Sequence, residues 1–194
     1  TGEKGKRKRL TPRQWNQSSE KWAVRNSDIV IISQKGTEMK LLKLTLKNFK
    51  GIRSFEFAPD GQNVSVYGTN GSGKSTLMDA FTWLLFDKNS HWEAKFGIKT
   101  LDSNGETIPK LEHTVTAILD DEGKKVYLEK TLKERWVKAR GTAETVYNGN
   151  TTIYMAGSPD APVPVSSAQY KKIVAGILDE GLFKMLSDPL YFNE

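Results

Sequence analysis

The stretch that decides the fold is the Gly-rich run Gly68-Thr69-Asn70-Gly71-Ser72-Gly73-Lys74-Ser75. This run fits the pattern G-x-x-x-x-G-K-[ST] of a phosphate-binding P-loop. Glycine reaches positive φ without a steric penalty, so successive backbone N–H groups of such a loop can converge on one anion. The sequence therefore predicts that residues 68–75 bind a phosphate group.

The segments on either side of the loop supply the strand and the helix that a P-loop needs. Val64 and Val66 alternate with polar residues and predict a short strand that runs into the loop. Apolar residues then recur at helical spacing over residues 74–86, namely at Leu77, Phe81, Leu84 and Leu85. A helix that begins at the loop directs the positive end of its dipole at the same anion, which favours a nucleotide site over an accidental Gly-rich hairpin.

The residues of the loop have expected roles toward ATP and Mg²⁺. Lys74, the candidate catalytic residue, is expected to reach the β- and γ-phosphates, and the Ser75 hydroxyl is expected to ligate Mg²⁺. Thr76 is a candidate donor to the α-phosphate. The predicted nucleotide-binding set is completed by the loop residues Asn70, Gly71, Ser72 and Gly73.

Alternation of apolar and polar residues predicts strands on both sides of this unit. The predicted strands cover residues 42–46, 55–57, 115–119, 126–136 and 146–155. The last three read as an antiparallel meander, which follows a loop over 87–110 and is ended by Pro159, Pro162 and Pro164. A closing helical segment is predicted from about Ser167 to Phe183.

Hydrolysis of a nucleotide also needs an acid near Mg²⁺ and a base for the attacking water. The acidic run Asp120-Asp121-Glu122 follows a hydrophobic strand, but Gly123 and a second strand come next, which favours a hairpin turn. Asp179 and Glu180 fall within the predicted closing helix, where acids face solvent. The sequence shows no convincing catalytic base.

Four other residues that could carry chemistry have simpler explanations. His91 and His113 lack metal-ligand spacing, so we expect surface or packing roles for them. Trp83 and Phe86 are expected in the core beside the P-loop helix rather than in a base-stacking platform. The position of Trp136 stays open, with an exposed rim as one option.

Composition limits the partners that can be inferred. The 194 residues include no cysteine, which excludes disulfides and Cys-ligated zinc within the chain. The net charge is +6, but residues 1–38 hold nine Lys/Arg against four Asp/Glu, so residues 39–194 are nearly neutral. The total charge therefore gives no independent evidence of nucleic-acid binding by residues 39–194.

No apolar run reaches membrane-spanning length. We expect a soluble, cytoplasmic protein, which would be nucleoid-associated if it binds DNA.

Two parts of the chain differ in pattern. Residues 1–38 form a basic N-terminal extension, expected to be disordered or to hold a short helix after Thr11-Pro12. Strand alternation opens at Met39, a candidate native start. Residues 39–194 are expected to form one domain.

The motifs of residues 39–81 resemble the N-terminal head of SMC/SbcC/RecF-type ATPases. The stretch Asn48-Phe49-Lys50-Gly51, placed before Asn70-Gly71-Ser72-Gly73-Lys74-Ser75-Thr76, is far more specific than a P-loop alone. Further on, Glu134-Arg135-Trp136 and residues 183–192 resemble phage- and prophage-encoded SbcC-like ATP-binding proteins. The resemblance covers residues 39–194. It is specific over the motifs of residues 39–81 and weaker over the later residues.

The resemblance implies an α/β fold of the P-loop NTPase class. The implied fold is that of an ABC-type ATPase head, whose N-terminal lobe combines a mixed sheet with an antiparallel subsheet. It implies that Lys50, beside Gly51, lies near the nucleotide. It also implies that the signature motif and the catalytic acid lie beyond a long coiled coil, so that residues 39–194 form a binding half-site with weak or no turnover on its own.

The same resemblance implies partners and a cellular role. ATP would close two heads, either in a homodimer or with a C-terminal half in trans. DNA and a nuclease subunit are expected partners. The expected role is in repair, recombination or the processing of chromosomal or phage DNA. No membrane partner is expected. An ABC transporter subunit is disfavoured, since Asn-Phe-Lys-Gly replaces the usual adenine-stacking aromatic. A P-loop ATPase of a phage-defence or toxin system and a non-hydrolysing, nucleotide-dependent assembly module stay open as alternatives.

Overall fold

The computed structural model describes residues 23–25, 31–32, 38–138, 141 and 144–187. The basic run of residues 4–9 and the short helix predicted after Thr11-Pro12 lie outside these residues. In the described part of the chain, five strands precede the first helix, four strands follow it, and two helices come last. In chain order they are β1 (Ala23–Arg25), β2 (Ile31–Ile32), β3 (Glu38–Phe49), β4 (Ile52–Phe57), β5 (Ser65–Tyr67), α1 (Lys74–Phe86), β6 (His113–Asp121), β7 (Lys124–Lys138), β8 (Thr145–Ser158), β9 (Ala161–Val165), α2 (Ser167–Ile177) and α3 (Glu180–Ser187).

Most strands belong to one sheet in the order β2-β3-β6-β7-β8-β9, and β4 also pairs with β3, along residues 44–49. All strand pairs in the described part of the chain are antiparallel. Leu46 pairs with Val115, and Val115 pairs with Lys130, so these three side chains share one face. That face carries the buried residues of the sheet, whereas Lys43, Thr45 and Thr116 occupy the other face.

Helix α1 covers the buried face of the sheet. Its apolar residues Leu77, Phe81 and Leu84 are each at most 8% exposed, because the 3.6-residue period brings them to one side. The helix ends where Asp87 takes a left-handed conformation with φ 60° and donates its N–H to the Trp83 carbonyl. The predicted bounds of this helix, 74–86, and the predicted core positions of Trp83 and Phe86 are confirmed.

The strand that leads into the Gly-rich loop is β5. It pairs antiparallel with β1, in the register Val24 with Val66. Strand, loop and helix therefore follow one another without interruption over residues 65–86, as the sequence predicts.

The hairpin between β6 and β7 confirms the turn predicted at the acidic run. Glu122 and Gly123 both have positive φ, 54° and 83°, which is the conformation of a tight two-residue hairpin turn. Asp120 accepts a hydrogen bond from the Gly123 N–H at 2.6 Å, and Asp121 pairs with Lys124. These acids therefore serve a surface turn.

The prediction that the prolines end the meander was wrong. Pro162 and Pro164 lie inside β9, which pairs with β8 and forms the edge of the sheet. Proline lacks an N–H, but an edge strand has one side without a hydrogen-bonded neighbour and accepts it there. Pro159 lies in the turn between β8 and β9.

The prediction of one closing helical segment was also wrong, because the segment is divided into α2 and α3. Leu178 is extended, with φ −147°, and its side chain is 2% exposed. Burial of this leucine interrupts the helix, and Asp179 then accepts a hydrogen bond from the Leu182 N–H at 2.7 Å as the cap of α3. Of the described helices, none is long and apolar enough to cross a membrane.

Candidate nucleotide-binding site

The Gly-rich loop lies between β5 and the N-terminus of α1. Gly71 and Gly73 have φ of 82° and 89°, a conformation that a side chain would strain. Gly73 is the N-cap of α1 and offers no side chain to the N–H groups of the first turn, which also lacks an acidic residue. Those unpaired donors and the positive end of the helix dipole give the loop affinity for an anion.

Gly68 and Ser72 close the loop from opposite ends. A β-carbon built on Gly68 would lie 2.5 Å from Ser72 Oγ, so a side chain at position 68 would require the Ser72 hydroxyl to move. Ser72 also donates its backbone N–H to the Thr69 carbonyl at 3.2 Å. The Ser72 hydroxyl is buried and has no hydrogen-bond partner among the residues that the structure describes.

Lys74 folds back over the loop. Its ammonium nitrogen lies 2.8 Å from the Gly68 carbonyl and 2.8 Å from the Thr69 carbonyl and donates to both. Ser75 is exposed and Thr76 is half-buried in the first turn of the helix. The structure thus folds the predicted loop around the Lys74 ammonium and places Ser75 and Thr76 in the first turn of the helix that follows.

The turn that joins β3 to β4 is the second predicted part of the site. Asn48 and Lys50 have φ of 53° and 52°, an unfavourable conformation for residues with a side chain, of the kind that concentrates at functional sites. Lys50 donates its N–H to the Ile98 carbonyl at 2.8 Å, and Thr100 Oγ1 donates to the Asn48 carbonyl at 2.9 Å. The segment after α1 therefore holds this turn in its unfavourable shape.

The Lys50 side chain reaches α1 rather than solvent. Its ammonium nitrogen lies 2.5 Å from Asp79 Oδ2 and 5.1 Å from the centre of the Phe96 ring. Gly51 is exposed in the turn, with no atom within 4 Å of a β-carbon built on it. A role of Lys50 and Gly51 in nucleotide binding stays a prediction, but the structure joins their turn to the P-loop helix.

Asp79 is the residue of this site that the sequence reasoning missed. Burial raises its pKa, but hydrogen bonds from Lys50 and Ser90 outweigh burial and hold the pKa below its ordinary value. The sequence did contain a signal for this residue, since Asp79 is a carboxylate between the apolar residues Leu77 and Phe81 of the predicted helix. A charge at a buried position of a helix indicates that a partner of opposite charge lies against it.

The described residues contain no group of three or more His, Asp and Glu side chains that could hold a metal ion. His91 is exposed, whereas His113 is 1% exposed with Nδ1 against the Asn48 carbonyl, so the surface and packing roles predicted for them are confirmed. Trp136 packs its ring against Tyr147 with the ring centres 5.9 Å apart. Because the described residues offer no such cluster, a metal ion at the loop would depend on the Ser75 hydroxyl and on oxygens of the bound phosphates.

The residues present fit a Mg²⁺-bound nucleoside triphosphate. The positive φ of Gly71 and Gly73, the buried Ser72 hydroxyl without a partner among the described residues and the uncapped first turn of α1 form a cradle for an anion. Lys74 places a positive charge over that cradle. Backbone amides with one ammonium group and one hydroxyl are the donor set that binds a triphosphate together with its Mg²⁺.

Comparison with known proteins agrees with this geometry. An AAA domain family matches residues 43–158. Structural maintenance of chromosomes protein 1 of Schizosaccharomyces pombe is 36% identical over 72 residues, which are 37% of this chain and 6% of that protein. The DNA replication and repair protein RecF of Geobacter sp. strain M21 is 28% identical over 131 residues, and that of Citrifermentans bemidjiense is 27% identical over 129 residues.

Each RecF match covers 63% of this chain and 35% of the relative, so the chain spans about a third of the length of these proteins. The family match includes the strand, the Gly-rich loop and the P-loop helix, which are the parts of the structure that form the candidate site. The chain belongs to this AAA domain family, as a P-loop ATPase head of the SMC/RecF type.

Proposed function

We propose that residues 39–194 are the ATP-binding half of an SMC- or RecF-like ATPase head. The observation that carries the proposal is the loop of residues 68–75, which is folded around the Lys74 ammonium at the uncapped start of α1. Backbone donors at an uncapped helix start, beside one cation and one exposed residue with a hydroxyl group, suit Mg²⁺-ATP.

Each residue of the loop has one task in this proposal. Bound Mg²⁺ supplies neutralisation of charge on the β- and γ-phosphates. Lys74 acts as the catalytic cation, Ser75 provides the ligating hydroxyl, and Thr76 donates to the α-phosphate. The backbone of Asn70, Gly71, Ser72 and Gly73 surrounds the phosphates, and Lys50 with Gly51 approaches from the β3–β4 turn.

The proposal includes a second half-site. The acids of the β6–β7 hairpin serve a surface turn, and Asp179 caps a helix, so neither supplies the acid that hydrolysis needs. We propose that a signature motif and a catalytic acid come from a second head, in a homodimer or as a C-terminal half in trans. ATP would then drive closure of two heads, with weak or no turnover by this chain alone.

The proposed cellular role is an action on DNA. Relatives that share this half-site are named a structural maintenance of chromosomes protein and DNA replication and repair proteins. We propose that ATP-dependent closure changes how DNA is held in repair, recombination or the processing of chromosomal or phage DNA. A nuclease subunit would act on the DNA that the closed heads hold.

The test is a calorimetric titration of the chain with Mg²⁺-ATP. Lys74→Ala should weaken binding by about 10- to 100-fold, the usual effect of removing a charged hydrogen-bond donor. Lys124→Ala, at the exposed start of β7, removes the same charge from a residue outside the loop and should bind like the wild type. The complementary half of a head is then added in trans with DNA, and hydrolysis is measured.

Hydrolysis that appears only in the mixture and rises with DNA would support the proposal. Robust hydrolysis by this chain alone, lost in Lys74→Ala, would contradict the half-site. Binding of ATP with no hydrolysis in any mixture would favour the alternative of a nucleotide-dependent assembly module.

A further inference from the structure

A buried carboxylate lies on the P-loop helix and joins three segments of the chain. Asp79 is 5% exposed, and its carboxylate accepts three hydrogen bonds. The Lys50 ammonium donates to Oδ2 at 2.5 Å, whereas the N–H and the hydroxyl of Ser90 donate to Oδ1 at 2.8 and 2.6 Å. One carboxylate thus connects the β3–β4 turn, α1 and the segment that follows α1.

The position of Asp79 on α1 relates it to the loop. Ser75 and Asp79 are four residues apart, so they lie on the same face of the helix, separated by about 6 Å along its axis. Ser75 is the exposed hydroxyl at the start of that face. The carboxylate therefore holds the Lys50 ammonium one helical turn below the hydroxyl predicted to ligate Mg²⁺.

The Lys50 ammonium has a reason to depend on this carboxylate. The Lys50 side chain is 29% exposed and belongs to a turn with two residues of unfavourable φ. Its described polar partner is Asp79, with the Phe96 ring as a second, weaker attraction at 5.1 Å. Without the negative charge, a lysine side chain regains its rotamers and extends into water.

We propose that Asp79 is a positioning residue of the nucleotide site. It holds the Lys50 ammonium beside the first turns of α1 and anchors the segment after α1 through Ser90. Affinity for ATP then depends on a group that does not touch the nucleotide. The effect on ATP affinity rests on the proposed function. The contacts of Asp79 with Lys50 and Ser90 exist without nucleotide and can be tested by themselves.

The experiment combines two variants with one control. Asp79→Asn removes the charge and keeps the shape, and Lys50→Gln removes the ammonium. Each should weaken Mg²⁺-ATP binding by about tenfold, and the double variant should lose no more than either single one, because both act through one contact. Glu56→Gln changes a carboxylate that pairs with Lys43 at 2.8 Å elsewhere on β4 and should leave affinity unchanged.

A second readout needs no nucleotide. In the nucleotide-free protein, Asp79→Asn should speed amide exchange at Ser90 by about threefold or more, since a charged acceptor becomes a neutral one. Glu56→Gln should leave that exchange rate as it is in the wild type.

Wild-type ATP affinity in Asp79→Asn would overturn the proposal, and so would losses in the two single variants that add in the double variant. Lys50→Gln leaves Asp79 its two hydrogen bonds from Ser90 and changes a partly exposed side chain, so wild-type affinity in that variant, with a melting curve that shows it to be folded, is sufficient to overturn the proposal. Failure of the unmodified protein to bind ATP would instead contradict the proposed function. The exchange rate at Ser90 would then still decide whether Asp79 anchors the segment.

Discussion

Lys130 and Asp87 form an ion pair at the C-terminal end of the P-loop helix. The Lys130 ammonium lies 2.8 Å from Asp87 Oδ1 and donates to the Trp83 carbonyl at 2.6 Å. Lys130 is fully buried, and its nitrogen lies between 5.3 and 5.5 Å from the ring centres of Trp83, Tyr154 and Tyr170. A charged lysine thus closes the end of α1 that faces away from the Gly-rich loop.

This lysine predicts how stability depends on pH. Burial lowers the pKa of Lys130 from 10.5 to about 8, against the opposing charge of Asp87. The unfolded chain therefore binds more protons than the folded protein between those values, so the free energy of unfolding rises as pH increases through that window. The lowered pKa corresponds to a gain in the free energy of unfolding of at most about 3 kcal/mol.

Urea denaturation of the wild type and of Lys130→Met at several pH values between about 7 and 10 measures this gain. The rise with pH should be absent in Lys130→Met. Lys171→Met removes a charge that lies 3.7 Å from the same aspartate but is largely exposed, and it should keep the rise. Burial also raises the pKa of Tyr127 to about 12, which reverses the trend above pH 10, so the comparison stops there. Equal pH slopes in the wild type and in Lys130→Met would contradict the account.

Gly68→Ala tests the geometry of the loop. The added carbon would lie 2.5 Å from Ser72 Oγ but 3.4 Å from Ser72 Cβ, so the hydroxyl causes the conflict. Gly68→Ala should weaken ATP binding by about threefold, because the Ser72 hydroxyl must move, and the double variant Gly68→Ala, Ser72→Ala should bind ATP as tightly as Ser72→Ala alone. Titration calorimetry of both proteins is the measurement.

Gly97→Ala is the matched control, because a β-carbon at Gly97 meets no atom within 4 Å. If Gly68→Ala binds ATP as tightly as Gly97→Ala does, the loop does not have the closed shape described above.

The Glu134 carboxylate on β7 is expected to make stability depend on pH in the acid range. It accepts hydrogen bonds from the Lys110 N–H at 2.8 Å, from Lys99 Nζ at 2.5 Å and from Trp136 Nε1 at 2.9 Å. The Lys110 N–H and then Lys99 lower the pKa of Glu134 to about 2, below its ordinary 4.5. Stability that comes from this carboxylate is therefore present above pH 4.5 and lost as pH falls toward 2.

Glu134→Gln should reduce the melting temperature at pH 7 and flatten its decrease between about pH 4.5 and 2.5. Glu122→Gln, in an exposed turn, should behave like the wild type. A thermal scan of the three proteins over this pH range is the measurement, and an undiminished acid-dependent decrease in Glu134→Gln would contradict the assignment.

The parts of the fold that the sequence predicted are those governed by local rules. The Gly-rich loop, the helix of residues 74–86 and the hairpin turn at Glu122-Gly123 each follow from residue types within a few positions. The break at Leu178 and the strand β9 were missed, since the first depends on burial against distant residues and the second on an edge position in the sheet.

The contacts of Lys130 and Asp79 lay beyond sequence reasoning for a related reason. Lys130 continues the inward positions of Val126 and Leu128, but a lysine normally turns outward, and its partner Asp87 lies 43 positions earlier. Asp79 is likewise 29 positions from Lys50. Pairing over such separations depends on the register of packed elements rather than on local pattern.

The most direct test of the account is amide hydrogen exchange of the loop with and without Mg²⁺-ATP. If backbone donors of this loop bind the phosphates, ATP at a concentration near the wild-type Kd should slow exchange at the amides of residues 70–76 in the wild type and have little effect on them in Lys74→Ala, whose affinity is lower. ATP that leaves these amides unaffected in the wild-type protein, or that protects another region in their place, would contradict the account.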